Sequence, residues 1–305
     1  MQVKILGSAA GGGFPQWNCA CTNCRQLRAG KFSGKSRTQA QVAISPDNNT
    51  WFLLGASPDL RQQIEVTPEL HPRRGPRDSP IAGVVLASAE LDHVVGLLHL
   101  REFQSFIVYA AQPVISILRE QNTVFRMLNR LPEQVSWRSV QIGEGCQLKL
   151  SSQGDSGICC QMVQVSPRFP SYVCNPERLN LKEATVGLVL TSMNGCRLGY
   201  FPVVGYINDE LKSLFENLDL LLFDGTFWSE DELIAVQGQR ARDMGHVPVG
   251  GEAGSLRQLA KIHPLRKLYI HINNTNPMLN ESGPEYRAVR DTGWELAEDG
   301  WQVTL

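Results

Sequence analysis

Three observations predict a layered α/β fold. Short apolar runs recur along the sequence from Val3–Leu6 to Trp301–Leu305, helix-compatible segments stand between several of them, and strands occupy both ends. Alternation of this kind lets helices cover the apolar faces of sheets. No interior stretch has the composition of a linker and no repeat interrupts the pattern, so one domain over residues 1–305 is expected.

The first strand, Val3–Leu6, ends in Gly7-Ser8-Ala9-Ala10-Gly11-Gly12-Gly13. No Gly-Lys-Ser/Thr follows, and Phe14-Pro15-Gln16-Trp17 does not begin a helix, so the glycines suit backbone passing close to a site better than a phosphate cradle. Gln41–Ile44 and Trp51–Leu54 flank the turn-forming Ser45-Pro46-Asp47-Asn48-Asn49 and should pair. Ser57-Pro58-Asp59 opens a helix with proline near its first position. A proline- and arginine-rich loop over residues 71–80 precedes the buried strand Ile81–Ala87, and Asp92–Leu100 starts a helix. Alternation continues through Phe106–Ala110, Pro113–Leu128, Gly157–Ser166, Thr185–Ser192 and Arg197–Pro202. The strand Leu218–Phe223 runs into Asp224-Gly225-Thr226; a helix is predicted over Gly254–Lys261 and strands over Lys267–Ile272 and Trp301–Leu305.

Composition bounds the function. A hydrophobic fraction of 42% with 19% charged residues is that of an ordinary soluble enzyme. The formal net charge of −1 gives no broad attraction to nucleic acid or anionic membrane, and neither is expected as a partner. No stretch reaches the roughly 18 to 20 apolar residues of a membrane span. Met1–Leu6 enters a strand directly, without the apolar core and cleavage site of a secretory signal, so a cytoplasmic location is expected. Eight cysteines in that setting read as ligands or buried thiols rather than disulfides. Cys146, Cys159, Cys160, Cys174 and Cys196 are scattered and suit small buried hydrophobes.

The other three form Cys19-Ala20-Cys21-Thr22-Asn23-Cys24. Three thiolates so close can face one Zn²⁺ tetrahedrally, with a fourth ligand from elsewhere; a redox or packing role is the alternative. Such a zinc would be structural.

Residues 84–97 read Val-Val-Leu-Ala-Ser-Ala-Glu-Leu-Asp-His-Val-Val-Gly-Leu. This resembles the His-x-His-x-Asp-His-x-x-Gly-Leu signature of the metallo-β-lactamase superfamily. The resemblance implies the αββα sandwich of that superfamily, two mixed β-sheets flanked by helices. It also implies that Ser88 and Glu90 replace the two histidines of the first metal site, whereas Asp92 and His93, which serve the second, remain. His271, after the apolar strand Lys267–Ile270, resembles the last metal-ligating histidine. The mid-chain histidine expected near Pro170 and the bridging aspartate expected near Pro202 are absent. The first site is therefore dismantled and the second kept.

Two metals suit hydrolysis, but one metal held by two histidines and a carboxylate is the arrangement of non-haem Fe(II) oxygenases. Asp92, His93 and His271 are the expected iron ligands, and loss of hydrolase activity is expected with them. Glu90 is either a further oxygen ligand or an acceptor orienting an imidazole. His246, in Met-Gly-His-Val-Pro, resembles a superfamily histidine that contacts substrate; it is a candidate acid or base, with a plain loop histidine as the alternative. Asp224 is a candidate supporting carboxylate. In a related phosphodiesterase branch the fourth zinc ligand lies three residues past the last active-site histidine, which here is Asn274.

The opening Gly-Ser-Ala-Ala-Gly-Gly-Gly-Phe-Pro-Gln-Trp-Asn-Cys-x-Cys-x-x-Cys, with Ala-Ser-Pro-Asp-Leu, Leu-Asp-His-Val-Val-Gly-Leu-Leu, Phe-Asp-Gly-Thr-Phe-Trp, Met-Gly-His-x-Pro and His-Ile-Asn-Asn-Thr-Asn-Pro, resembles the coenzyme PQQ synthesis protein B family over essentially the whole chain. That resemblance implies a role in pyrroloquinoline quinone (PQQ) biosynthesis. The expected chemistry is an iron-dependent hydroxylation, with O2, of the tyrosine ring of a cross-linked Glu-Tyr precursor. Contact with other proteins of the pathway follows from the same resemblance. The alternative is a non-catalytic carrier moving PQQ or its precursor toward the periplasm.

Overall fold

The computed structural model describes residues 1–150, 154–264 and 266–305. The first sheet takes β1 (Gln2–Gly7), β2 (Gln41–Ser45), β3 (Trp51–Leu54), β4 (Ile81–Val85), β5 (Phe106–Ala110) and β6 (Val135–Ser139). The chain then builds a second sheet from β7 (Gly145–Lys149), β8 (Asp155–Ser166), β9 (Thr185–Ser192), β10 (Arg197–Phe201), β11 (Leu220–Asp224), β12 (Arg266–Ile270) and β13 (Glu295–Leu296). It returns to the first as β14 (Gln302–Thr304), giving the orders β14-β1-β2-β3-β4-β5-β6 and β13-β12-β11-β10-β9-β8-β7. Each sheet is antiparallel at one side and parallel at the other.

Both faces of the central strands are buried, which is why they read as continuous apolar runs rather than alternations. Between the sheets Val42, Ile44, Phe52, Leu54 and Ile107 meet Met162, Leu188, Leu190, Leu222 and Leu268. Outside the first sheet, Leu53, Val84 and Val108 pack under helical residues such as Val94, Leu97 and Val114. Outside the second, Phe201, Phe223 and Tyr269 pack on Phe215, Val289 and Trp294, with Tyr269 and Trp294 stacked at 4.3 Å. Each such large side chain contributes about 1.5–3 kcal/mol by leaving water. The layers are helix, sheet, sheet, helix, the αββα sandwich.

Several helices are shorter than the sequence suggests. The one expected over Gly254–Lys261 spans Ser255–Gln258, and the segment after Asp92 is a single α-turn, Leu91–Val94, continued as a 3-10 helix over Val95–Arg101. That turn lies hard against the preceding loop: a Cβ on Gly96 would stand 2.2 Å from the Ser57 carbonyl. Among the described residues no helix is long and apolar enough to cross a membrane.

The topology sets up one edge for chemistry. β10, β11 and β12 pair in parallel register, Phe201 beside Phe223 beside Tyr269, so their carboxyl ends emerge side by side. The exit of β4 joins them through an antiparallel bridge between Ser88 and Thr185.

Candidate metal centre

Three strand ends and one loop deliver the polar side chains. After β4, Ser88 and Glu90 precede the turn Leu91–Val94, whose second and third residues are Asp92 and His93. Asp224 is the last residue of β11, and His271 follows β12 directly. His271 takes a left-handed backbone, φ 59°, unusual for a residue with a Cβ. His246 lies in the loop after Gly245, where φ is 85°, and its N–H bonds the Ala241 carbonyl.

The ligand atoms of Asp92, His93 and His271 lie within 4.8 Å of one another. The fold thus gathers all three residues expected to hold iron. His271 Nε2 donates to Asp92 Oδ2 at 2.9 Å, and the two histidine rings meet edge to face with centroids 5.4 Å apart. Ser88, standing where the superfamily has a histidine, places Oγ 2.8 Å from His93 Nδ1 and so fixes that ring.

The other ring nitrogen, His93 Nε2, is buried without a hydrogen-bond partner. Burial pushes the His93 imidazole down to about 4, so it is neutral near pH 7. A buried neutral imidazole with one nitrogen fixed and the other bare is the form that ligates a metal ion, so these residues fit one. Burial opposes the charge on Asp92 as well, but the two imidazoles outweigh it and hold the carboxyl well below the ordinary range. For His271, burial works against protonation, and the hydrogen bond and charge of Asp92 reverse that and raise it.

Behind His271 runs a hydrogen-bond relay. Thr226 Oγ1 donates to Asp224 Oδ1 at 2.6 Å and lies 2.8 Å from His271 Nδ1, from which it accepts. His246 Nδ1 donates to Asp224 Oδ2 at 2.7 Å, and the Val204 and Thr226 N–H groups complete the shell of that fully buried carboxylate. Asp224, His246 and His271 also bring ligand atoms within 4.8 Å, but the facing nitrogens Nδ1 are committed to hydrogen bonds; the trio orients His271 rather than offering another metal position. Thr226, not singled out from the sequence, stands in the Asp224-Gly225-Thr226 turn in plain view.

Around this cluster opens a cavity of about 450 Å³. Glu90 lines it but stands outside the ligand cluster, and burial, then the neighbouring Asp92, raises its carboxyl. His246 lines it too, as do Pro170, where a superfamily histidine is missing, and Val203, next to Pro202. The cavity also brings in Arg168, Tyr172 and Gln237, none of which carried a sequence signal, and Phe227 of the Phe-Asp-Gly-Thr-Phe-Trp motif; Tyr172 is anchored by its hydroxyl to the Ala89 carbonyl.

The thiols form their own centre. Cys19, Cys21 and Cys24 bring Sγ within 4.8 Å of one another, and Asn274 Nδ2 lies 3.2, 3.6 and 3.3 Å from them. Cys21 also caps the helix Thr22–Arg28, accepting from the Cys24 N–H at 3.5 Å. Asn23 ties the loop to the Asn274 and Asn276 carbonyls at 3.1 Å each. Burial pushes the Cys24 thiol up to about 11. Burial pushes Cys19 the same way, but the Cys21 N–H, the neighbouring thiols and Asn274 reverse it and leave Cys19 below its ordinary value. Three sulfurs gathered about one point fit Zn²⁺; the Asn274 amide turns its NH2 toward them as a donor, and its oxygen would ligate only with the amide turned over.

Facing mixed sheets with metal-binding residues at their strand ends define a class, and residues 50–272 match the family model described as beta-lactamase superfamily domain. The chain is 42% identical over 309 residues to coenzyme PQQ synthesis protein B of Methylobacterium sp. (strain 4-46), and 39% identical over 311 residues to that of Methylococcus capsulatus; each match covers all of both chains. The crystal structure of Zn²⁺-bound PqqB from Methylobacterium extorquens superposes with a TM-score of 0.91 at 38% identity, again over all of both chains. The chain belongs to the beta-lactamase superfamily and, within it, to the coenzyme PQQ synthesis protein B family. A diphosphatase of the PhnP family shares the fold, with a TM-score of 0.68 at 18% identity over 99% of this chain and 96% of that one.

Proposed function

We propose that the chain serves PQQ biosynthesis as a non-haem iron-dependent hydroxylase acting on the tyrosine ring of a cross-linked Glu-Tyr precursor. The observation that carries this reading is the set of two imidazoles and one carboxylate at the cavity floor, with His93 Nε2 left bare and with serine, glutamate and proline where ligands of a second metal would be needed. Asp92, His93 and His271 would hold the iron, which when bound supplies the activation of O2. The residues of the chain do the rest. Thr226 and Asp224 keep the His271 ring in its tautomer and orientation. His246, whose Nδ1 is spent on Asp224, keeps Nε2 to take a proton from a phenol in the cavity. Glu90, at the cavity wall, accepts hydrogen bonds from substrate or water. Cys19, Cys21 and Cys24, with Asn274, hold a structural zinc that pins the loop bearing Gly11, Gly12 and Gln16 at the cavity.

The test is anaerobic loading with Fe(II), metal analysis of the wild type and of His271→Ala, then exposure to O2 with a cross-linked Glu-Tyr substrate and ascorbate, which supplies the electrons that reduce the second oxygen atom to water, and mass spectrometry of the product. A gain of oxygen mass that requires iron and His271 is expected. Quinone or precursor binding that survives His271→Ala, without any mass gain, would replace this reading with that of a carrier.

A further inference from the structure

The cavity wall carries a permanent cation that the protein itself does not neutralise. Arg168 lines the same cavity as Asp92 and His246. Its Nη1 donates to the Asp243 carbonyl, and among the described residues it forms no ion pair. Glu90 feels its field without pairing to it. A guanidinium has five N–H donors in a rigid fork, so one bond to a carbonyl leaves most of the fork uncommitted.

The position of Arg168 is fixed. It lies between Pro167 and Phe169-Pro170, and its carbonyl accepts from Thr185 Oγ1 at 3.1 Å. Its stem runs past Gly245, where a Cβ would stand 3.6 Å from Arg168 Cδ. A half-buried guanidinium held at a cavity wall with no ion-pair partner leaves its fork free for a bound anion. Tyr172, Phe227, Leu233 and Met244 give the same cavity apolar and aromatic walls. The carboxylate of Asp92 lies on its metal side and disfavours an anion there, whereas Glu90 feels the charge of Arg168 more than that of His246 or His271.

We infer that Arg168 recognises a carboxylate of the ligand, and that the cavity takes an aromatic acid with its carboxylate on the guanidinium fork and its ring turned toward His246 and the metal ligands. This rests on reading the cavity as the substrate site; it does not rest on iron or on hydroxylation.

The test is a binding measurement with the full chain loaded with Zn²⁺, which has no redox chemistry, so that failure of the hydroxylase reading leaves it intact. The probes are 3-(4-hydroxyphenyl)propanoate and its primary amide, titrated calorimetrically. Wild type should bind the acid at least about tenfold more tightly than the amide, with added NaCl weakening only the acid. Arg168→Gln should bring the two to parity. Arg168→Lys should keep part of the preference, because lysine supplies charge without the fork. Equal binding of acid and amide by the wild type overturns the inference, as does a preference that survives in Arg168→Gln, the result expected if the carboxylate binds zinc instead.

Discussion

The thiol cluster gathers three of its four side chains from six consecutive residues, whereas the imidazole–carboxylate centre takes Asp92 and His93 from one sheet and His271 from the other, 179 positions further on. Cys19 and Cys21 are half-buried on a loop; His93 and His271 are 2% and 5% exposed at the ends of packed strands. The two centres meet in one short segment, since His271 serves one and Asn274 the other. The difference teaches what holds each centre. The packed strands position the imidazole–carboxylate centre, while the thiol segment, seated in the core through Cys24 with Cys19 and Cys21 against it, is tied to the stretch bearing His271 through polar contacts at Asn274.

That contrast can be broken most decisively at the sulfurs. Cys24→Ser should abolish zinc retention at the thiol centre and lower the melting temperature by several degrees, because structural zinc contributes folding free energy directly. Metal analysis and thermal unfolding check it; a variant with unchanged zinc and unchanged stability would show that the loop stands by itself. His93→Ala should remove the second metal while leaving one zinc per chain and a cooperative unfolding transition. Loss of both metals together would mean that the centres are not separable.

Thr226→Val, which cuts the relay between Asp224 and His271, should weaken the second metal by about 10–100-fold without touching the thiol zinc, as read by competition with a chelator. The pH dependence sharpens the same centre. His93 is neutral down to about pH 4, and Asp92 is ionised, so the proton a metal must displace sits on His271, whose titration is raised by Asp92. Affinity should therefore fall about tenfold per pH unit below that raised value, with a slope of one proton, and a slope of two near pH 6 would contradict the assignment. In the metal-free protein the sign reverses for stability. The Asp92–His271 pair stabilises fully below the unfolded imidazole value and is lost as pH rises through the raised folded one. The smallest effect is expected at Asn274→Ala, about tenfold or less on thiol zinc, since a neutral amide is a weak ligand beside three thiolates.

Legibility followed the same divide. The cysteines announce themselves because their spacing is local. Asp92, His93, Asp224 and His271 could be found because each stands where an apolar run stops, and parallel strands deliver their ends to one edge. Thr226 stands in a distinctive motif but its role could not be read there, since its value lies in bridging Asp224 to a ring from another strand. Arg168 and Tyr172 lie in the irregular loop after β8, which has no periodicity to read. The half-exposed strands β6 and β7 and the two-residue β13 lack the apolar run that marks the others. The helix Asp209–Glu216 was also missed, although Asn208 caps it by accepting from the Leu211 N–H at 2.9 Å.

The left-handed backbone of His271 has a consequence for anyone engineering this chain. A β-carbon in that conformation costs on the order of 1–3 kcal/mol, and glycine would relieve it. Ranked by backbone comfort alone, the preferred residue at 271 is therefore one that can bind nothing. That relief is outweighed, since glycine would strip Asp92 Oδ2 and Thr226 Oγ1 of the ring they bond and leave a void among buried side chains, so the fold holds this ring in a backbone it does not favour through the contacts that centre the cavity on it.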